Sequence, residues 1–297
     1  MLTMNPDSRT SFPSYEWPQG KKCAVIFSVD VDAESPYLWR SRHEPKRGVS
    51  EIEQRRYGPR QGMTRIMDLL ERHEIKGSFY VPGIVAQTYP DLLPRLVQNG
   101  HEVGYHGQLH ERLDTVSSEA SEAFLKQTIE IFEHQTGLRN LGYRSPSFEH
   151  TAESLALLKR MGILYDSTLM GFDHPYEIDG LTQIPTQWTT DDVLYFAYTE
   201  NRRDKLHPAN PNSVFETWVE EFEATREAGG LMIITVHDWV SGRPPRIRLL
   251  DRLFRHILQN NDVWFATSAE IARYHNNSVN KGRFSVSTDI GRFPTDV

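Results

Sequence analysis

The chain has 297 residues, of which 38% are hydrophobic and 25% are charged, and its formal net charge is −7. This composition is that of a folded globular protein, and the acidic balance argues against nucleic acid or an anionic membrane as the main partner. The single cysteine, Cys23, excludes an internal disulfide framework and a cysteine zinc cluster. Residues 1–20 contain no secretory signal and no later segment approaches a transmembrane run, so we expect a cytoplasmic protein.

Short apolar runs alternate with helix-like segments along the chain. The first run, residues 23–29, is rich in β-forming residues and predicts a strand buried on both faces. Similar runs predict strands at residues 76–83, 101–106, 141–144, 163–166, 181–185, 231–237 and 263–267. Apolar residues at helical spacing predict helices at residues 63–73, 84–99 (broken or restarted at Pro90 and Pro94), 117–136, 154–161, 213–228, 246–259 and 268–275.

The alternation of strands and helices predicts an α/β fold with a parallel sheet. The number of units favours a closed or nearly closed (β/α) barrel of about seven strands in a single domain. We place the barrel at residues 21–275, an N-terminal extension at residues 1–20 and a C-terminal tail at residues 276–297. Active sites of such barrels lie at the carboxyl ends of the strands.

Two carboxylates follow the first strand, and two histidines follow a later one. Asp30 and Asp32 are two residues apart, so their side chains project on the same side of a strand. Like charges this close are unfavourable unless a cation or a proton shares the site. Together with the imidazoles of His106 and His110, a carboxylate suits a divalent ion with an open coordination position. Taken singly, an Asp here could only cap a turn, and the histidine pair could be a solvated surface feature.

Two further reactive residues fall at predicted strand ends. Arg144 and His237 close the runs at 141–144 and 231–237, which would bring them to the same rim as the carboxylates and histidines. Other interpretations stay open, because Arg144 could form a structural ion pair and His237 could be a hydrogen-bonded core residue.

Two stretches interrupt the alternation. Residues 35–57 are long, charged and irregular, and they follow the Asp pair directly. We interpret them as a wall of the substrate pocket rather than a surface excursion. Residues 276–297 are polar and non-periodic, so we expect them to be mobile or to pack on a neighbouring subunit, and we predict a homo-oligomer, a dimer or a tetramer.

Five motifs occur in order along the chain: VDVD at residues 29–32, HGQLH at 106–110, GYRSP at 142–146, IPTQWTTDD at 184–192 and VH at 236–237. Together they resemble the polysaccharide deacetylase (NodB-homology) superfamily, whose fold is a deformed (β/α) barrel. The resemblance extends over residues 21–275, nearly the whole chain. It implies hydrolysis of an amide C–N bond.

The resemblance also implies which residues would bind a cofactor. Asp32, His106 and His110 match the family's metal ligands, so we expect one divalent ion, with Zn²⁺ as the first choice. Some ureide-hydrolysing members lack these ligands, whereas this chain has all three. We therefore expect the activity to depend on the metal.

The remaining matched residues would perform proton transfer. Asp30 matches the catalytic base, Arg144 the residue that orients it, and His237 the general acid. Asp192 would hold His237, with Asp191 as an alternative, and either acid could instead cap a turn. Backbone N–H groups near position 143 or 84 would help to hold the oxyanion of the tetrahedral intermediate.

Departures from the family pattern bear on the substrate. Val31 separates the two acids, Gly107 follows the first metal histidine, and YGPRQG occupies residues 57–62. These features resemble a branch that contains cyclic imide hydrolases, allantoinase-like ureide hydrolases and peptidoglycan deacetylase-like proteins. We assign four aromatic residues to substrate binding: Tyr37, Trp39, Tyr57 and Trp188.

Three functions follow as hypotheses. The first is a metal-dependent amidohydrolase that opens the ring of a small cyclic imide or ureide. The second is an N-deacetylase of acetylated amino sugars, oligosaccharides or peptidoglycan fragments. The third, a non-catalytic binding protein on a relic barrel, would require the loss of a ligand or of the base, and none is missing from the sequence.

Overall fold

A computed structural model describes residues 14–199 and 208–288. Within these residues the chain forms eight strands and twelve α-helices. The strands are β1 Cys23–Asp30, β2 Ser78–Val81, β3 Glu102–Tyr105, β4 Tyr176–Ile178, β5 Leu181–Gln183, β6 Leu231–His237, β7 Val263–Phe265 and β8 Ser285–Val286. The helices are α1 Ser35–Arg40, α2 Val49–Tyr57, α3 Met63–Arg72, α4 Gly83–Thr88, α5 Leu92–Gln98, α6 Ser118–Thr136, α7 Ala152–Arg160, α8 Val193–Phe196, α9 Pro211–Ala228, α10 Asp238–Ser241, α11 Pro244–Ile257 and α12 Ser268–Asn277.

Strand β1 is the centre of the barrel wall. Strand β6 pairs along one edge of it in parallel, from Ala24 opposite Leu231 to Asp30 opposite His237. The other edge is shared, because β7 pairs with the first three residues of β1 and β2 with the last three, again in parallel. Strand β3 then continues the sheet beyond β2. The pairing of β1 with β6 places Asp30 and His237 side by side at one rim.

The far wall is reduced to single parallel bridges that link Tyr105, Tyr143, Asp166 and Gln183 in turn. The strands predicted at residues 141–144 and 163–166 are therefore wrong as regular strands, although both segments lie in the wall. The strand-like backbone pairing stops after Arg144, because the next backbone N–H, that of Ser145, donates to Thr168 Oγ1 instead of to a neighbouring strand. The fold is nonetheless the predicted deformed α/β barrel in a single domain.

The local sequence explains the regular elements. All eight residues of β1 are buried, as its continuous apolar pattern predicts for a central parallel strand. Helix α6 begins where Ser117 Oγ accepts the N–H of Ala120 and ends at Gly137, whose φ of 73° is readily adopted only by glycine. The predicted helices are confirmed to within a few residues at their ends.

Residues 35–57 are not irregular as predicted, because α1 and α2 occupy most of them. The Arg55 and Glu51 side chains, one helical turn apart in α2, form an ion pair with a nitrogen–oxygen distance of 3.2 Å. At the start of α1, Ser35 Oγ donates to the carbonyl of Asp32 at 2.8 Å. This segment is thus attached directly behind the second acid.

The described part of the C-terminal tail packs on its own barrel. Strand β8 pairs with β4, Phe284 is buried, and Asn280 exchanges two hydrogen bonds with the backbone of Glu16. The expectation that this segment is mobile is therefore wrong for residues up to 288, because its backbone and side chains find partners within the chain, whereas its packing on a neighbouring subunit stays a prediction. Residues 289–297 lie outside the described residues, and the oligomeric state stays a prediction that light scattering can test.

Among the described helices, none combines the length and apolar character needed to cross a membrane. The cytoplasmic location stays a prediction, as do the domain boundaries at residues 20 and 275. Tyr15 and Trp17, in the predicted N-terminal extension, are both buried.

Candidate active site

Asp30, the last residue of β1, is held by a fully buried arginine. Arg144 Nη1 donates to Asp30 Oδ1 at 2.7 Å, and the same guanidinium donates to Ser167 Oγ and to the Ser167 carbonyl. Burial opposes the charge of Arg144, but Asp30 outweighs it and raises the pKa of the guanidinium. One oxygen of Asp30 is thereby fixed, and its Oδ2 is directed towards the histidine ligands, 3.9 Å from His106 Nε2.

Asp32, His106 and His110 converge as a three-residue cluster. Asp32 Oδ1 lies 3.4 Å from His106 Nε2 and 3.3 Å from His110 Nε2, and the ligand atoms of the three side chains are within 4.8 Å of one another. His106 Nδ1 lies 2.8 Å from the carbonyl of Arg144, an arrangement in which Nδ1–H donates and Nε2 keeps its lone pair for the cluster. Asp32 Oδ1 is buried with no hydrogen-bond partner among the described residues. One carboxylate and two imidazoles with converging lone pairs fit a divalent cation.

The ionisation of this cluster follows from its charges. Burial opposes the charge of Asp32, but the neighbouring imidazoles, His110 first, hold the pKa of its carboxyl well below the usual range. Burial likewise lowers the pKa of His106, yet Asp30 and Asp32 outweigh it and the net pKa is raised. A proton and a cation therefore compete for the same lone pair of His106.

The loop that carries both histidines is organised by a buried residue that the sequence reasoning missed. Glu111 accepts the backbone N–H of Gln108 at 3.0 Å and that of Leu109 at 2.6 Å. The turn also requires a positive φ at Gly107 (71°) and at His110 (62°). Glu111 could have been suggested by its position directly after the HGQLH motif.

His237 is held by Asp192 rather than by Asp191. Asp192 Oδ1 lies 2.8 Å from His237 Nδ1, and its Oδ2 accepts the His237 backbone N–H at 3.0 Å. Asp191 is 3.9 Å from the same Nδ1 and instead caps a turn by accepting the N–H of Val193. Burial lowers the pKa of His237, but the nearby acids, Asp192 first, raise it well above the ordinary value. His237 Nε2 points into the site, 3.8 Å from Asp32 Oδ2.

These groups share one cavity of about 220 Å³ at the carboxyl ends of the strands. Its catalytic side contains Asp30, Asp32, His106, His110 and His237, with Asp191 beside them. The same cavity is lined by a second group of residues, which we call the outer wall: Arg40, Arg55, Phe148, Trp188 and Trp239. Phe148 and Trp188 meet edge to face with ring centroids 5.0 Å apart. The five rim residues expected from the sequence do converge, since Arg144 binds Asp30 directly beneath the cavity.

Of the four aromatic residues assigned to substrate binding, Trp188 lines the cavity and the other three do not. Tyr37 faces α2, where its hydroxyl accepts the N–H of Gly48. Trp39 packs edge to face on Phe124, because the side of helix α1 that carries Trp39 faces helix α6. The pocket-wall assignment of Tyr37 and Trp39 is thus corrected, and the same segment contributes Pro36 and Arg40 instead.

Tyr57 stabilises a loop and does not line the cavity. Its hydroxyl donates to the carbonyl of Gly242 at 3.1 Å, so it holds the loop that follows α10. The neighbouring Gly58 and Gly62 permit this packing: a Cβ at either would lie 2.0–2.1 Å from an Asp238 oxygen. The YGPRQG motif therefore supports the helix that follows His237 and is not part of the cavity wall.

Of the backbone amides near positions 143 and 84 that could hold the oxyanion, those of Tyr143 and Ile84 themselves are both engaged. Tyr143 N–H donates to the carbonyl of Tyr165, and Ile84 N–H donates to the carbonyl of Gln108. Neither is available to a substrate. The sequence analysis also did not assign the outer-wall residues Arg55, Phe148 and Trp239 to the site. They belong to none of the five motifs, and only the fold brings them to the cavity.

Comparisons with known proteins identify the family of the chain. Residues 57–165 match the polysaccharide deacetylase family. The peptidoglycan deacetylase of Helicobacter pylori is 24% identical over 282 residues, which cover 85% of this chain and 96% of that protein. The crystal structure of a Mycobacterium smegmatis protein classed with the polysaccharide deacetylases shares 34% identity and a TM-score of 0.80, covering 88% of this chain and 92% of that one.

The crystal structure of PuuE allantoinase also superposes, with a TM-score of 0.79 and 22% identity over 90% of this chain and 95% of that chain. At this identity the likeness concerns the fold. The M. smegmatis protein, in contrast, is similar in sequence as well as in fold over nearly its whole length. The barrel, its ordered motifs and these relatives together establish that the chain belongs to the polysaccharide deacetylase family, whose hydrolases act on C–N bonds.

Proposed function

We propose that this protein is a metal-dependent amidohydrolase that opens the ring of a small cyclic imide or ureide at its C–N bond. The observation that carries the proposal is the convergence on one cavity of a three-ligand cluster, an arginine-held carboxylate and a carboxylate-held imidazole. Amide hydrolysis needs these three functions: electrophilic activation, a base for water and an acid for the leaving nitrogen.

Asp32, His106 and His110 would hold the divalent ion, for which Zn²⁺ is the first choice. When bound, such an ion supplies Lewis-acid polarisation of an amide carbonyl and of water. The ligand set leaves coordination positions open, because only three protein side chains converge among the described residues.

Proton transfer is assigned to the two held groups. Asp30 takes the proton of the attacking water on Oδ2, since its Oδ1 is fixed by Arg144. His237 gives its Nε2 proton to the departing nitrogen, and Asp192 keeps the imidazole oriented through Nδ1. The raised pKa of His237 keeps that proton in place at neutral pH.

The size of the cavity favours a small substrate. A volume of about 220 Å³ accommodates one small ring and is narrow for several sugar units at once. Phe148 and Trp188 offer flat apolar surface suited to a ring. The similarity to the fold of an allantoinase is compatible with this choice.

An N-deacetylase acting on an acetylated amino sugar or a peptidoglycan fragment is the second candidate. It is favoured by the similarity to the Helicobacter pylori peptidoglycan deacetylase over 96% of that protein. The same base, acid and ligand cluster would serve both reactions, which differ in whether the leaving nitrogen stays tethered to the product.

A substrate panel separates the two candidates. Succinimide, phthalimide, hydantoin and allantoin are assayed for ring opening, and N-acetylated chitooligosaccharides for acetate release, with the metal-free protein and the metal-restored protein as controls. Ring opening that is lost on chelation and regained with a divalent ion supports the proposal. Acetate release without ring opening on any ring contradicts it.

A further inference from the structure

Arg55, in helix α2, is a buried cation on the outer wall of the cavity. Its side chain is 5% exposed, yet only its Nε makes a hydrogen bond within the described residues, to Glu51 Oε1 at 3.2 Å. Its terminal nitrogens Nη1 and Nη2 have no protein partner in that part of the chain. Neither terminal nitrogen is among the buried polar atoms that lack a partner, so both open onto the cavity, where their N–H groups can donate to a ligand.

A second arginine shares the same carboxylate. Arg40 Nη2 donates to Glu51 Oε1 at 2.8 Å, so two guanidiniums share one carboxylate. Burial lowers the pKa of Arg55, and the adjacent Arg40 lowers it further, while Asp32 and Glu51 raise it in part. Both guanidiniums keep their charge at neutral pH, so two cations lie side by side at the cavity.

Both arginines line the cavity that holds the catalytic groups. The Arg55 guanidinium lies over the ring of Trp239, 4.5 Å from its centroid, and Trp239 follows His237 by two residues. A cavity of about 220 Å³ is too small for two independent ligands of ordinary size. An anion bound by the arginines and the bond that is hydrolysed must therefore belong to one small molecule.

We propose that the preferred substrate bears a carboxylate, which Arg55 and Arg40 bind on the outer wall while the scissile C–N bond faces Asp30 and His237. This rests on the proposed function and specifies its substrate class. Planar guanidinium forks match a carboxylate with paired hydrogen bonds. A carboxylate is also the smaller of the anions that such a fork binds with paired hydrogen bonds, which suits a cavity of about 220 Å³.

The arrangement also orients the substrate. Arg55 and Arg40 line the outer wall and the scissile bond must face Asp30 and His237, so a carboxylate held by the arginines fixes which end of the ring meets the catalytic groups. A ring that carries its carboxylate away from the scissile amide would bind in one direction only. A neutral ring of the same size lacks this constraint.

Matched substrate pairs test the inference. Hydantoin is compared with hydantoin-5-acetate, 5,6-dihydrouracil with dihydroorotate, and N-acetylglucosamine with N-acetylmuramic acid; the second member of each pair adds a substituent that bears a carboxylate. We expect kcat/KM to favour the charged member by roughly 10- to 100-fold, the range for hydrogen bonds to a charged group. Arg55→Gln and Arg40→Gln should each reduce that ratio towards one.

The control variant is Arg60→Gln. Arg60 is exposed and pairs with Glu53 outside the cavity, so this change removes the same charge nearby without touching the wall. It should leave the preference for the charged member in place. Arg55→Lys, which keeps the charge but not the planar fork, should retain part of the preference, and circular dichroism checks that each variant is folded.

Calorimetric binding separates this inference from the proposed reaction. Tighter binding of hydantoin-5-acetate than of hydantoin, lost in Arg55→Gln and kept in Arg60→Gln, supports the carboxylate site even if neither ring is opened. Hydrolysis or binding of both members with equal efficiency, unchanged in Arg55→Gln, overturns the carboxylate site while leaving the ring-opening function intact.

Discussion

The two sides of the cavity are built differently. On the catalytic side, Asp30 and His237 are the terminal residues of paired strands, and each is held by a buried partner of opposite charge. On the outer wall, Arg40 and Arg55 come from short helices, and Trp188 is 47% exposed. The parallel ladder fixes the groups that perform the chemistry, whereas the segments between strands supply the groups that meet the rest of the substrate.

The difference has an energetic consequence. Removing one partner of a buried ion pair leaves an uncompensated charge, at a cost of about 3–5 kcal/mol. Arg144 and Asp30 form such a pair, and neither is solvent-exposed to any large extent. Trimming a half-exposed aromatic residue of the outer wall loses contact area without stranding a charge. Substitutions on the two sides should therefore act on different quantities.

The largest effect is expected for His106→Ala. It removes one of the three converging ligand atoms, so the bound divalent metal, measured by elemental analysis, and the hydrolytic activity should fall together. His134→Ala, an exposed histidine on α6, is the control and should change neither. If the His106→Ala variant still binds a stoichiometric amount of metal, then the metal ligands are not Asp32, His106 and His110.

Asp30→Asn should leave fold and metal content intact and lower kcat. The amide cannot accept the water proton, and general-base assistance is worth roughly 10²- to 10⁴-fold. Its oxygen can still accept from Arg144, which limits the loss of stability. Asp68→Asn, at an exposed position of α3, is the matched control. Turnover near that of the unchanged protein would assign the base to another group.

Asp192→Asn tests the acid on the same side through pH dependence. Asp192 is the leading cause that raises the pKa of His237, so its loss should lower that pKa. Because the protonated imidazole is the active form, activity falls as pH rises through this pKa. The alkaline limb of the kcat profile should therefore move to lower pH, by an amount that the titration measures. An unmoved limb would show that His237 does not govern it.

The smallest effects should come from the aromatic residues of the outer wall. Trp188→Ala removes an aromatic face from the cavity and should raise KM by roughly two- to tenfold with kcat nearly unchanged. Trp39→Ala removes a ring that packs on Phe124 outside the cavity, so the KM should stay the same while the melting temperature falls. If Trp39→Ala changes the KM and Trp188→Ala does not, then Trp39, and not Trp188, contributes to the substrate pocket.

Short-range sequence patterns determined the regular elements and the chemical groups. The continuous apolar run of β1, the Ser117 and Gly137 signals of α6 and the position of Asp30 and His237 at strand ends could all be predicted. Each depends on residues close together in the chain. Parallel strands then bring their carboxyl ends to one rim whatever the details of the connections.

Tertiary packing alone decided the rest. Helix α1 has six residues, too few for periodicity to show that Pro36 and Arg40 face the cavity while Trp39 faces α6. The position of Arg55 depends on Arg40 and Glu51 meeting across a loop, and the tail finds its place through β4 and through Glu16, at the other end of the chain. Such contacts join segments whose separation carries no local signal, so the direction of each side chain is set by the neighbour against which its helix or loop packs.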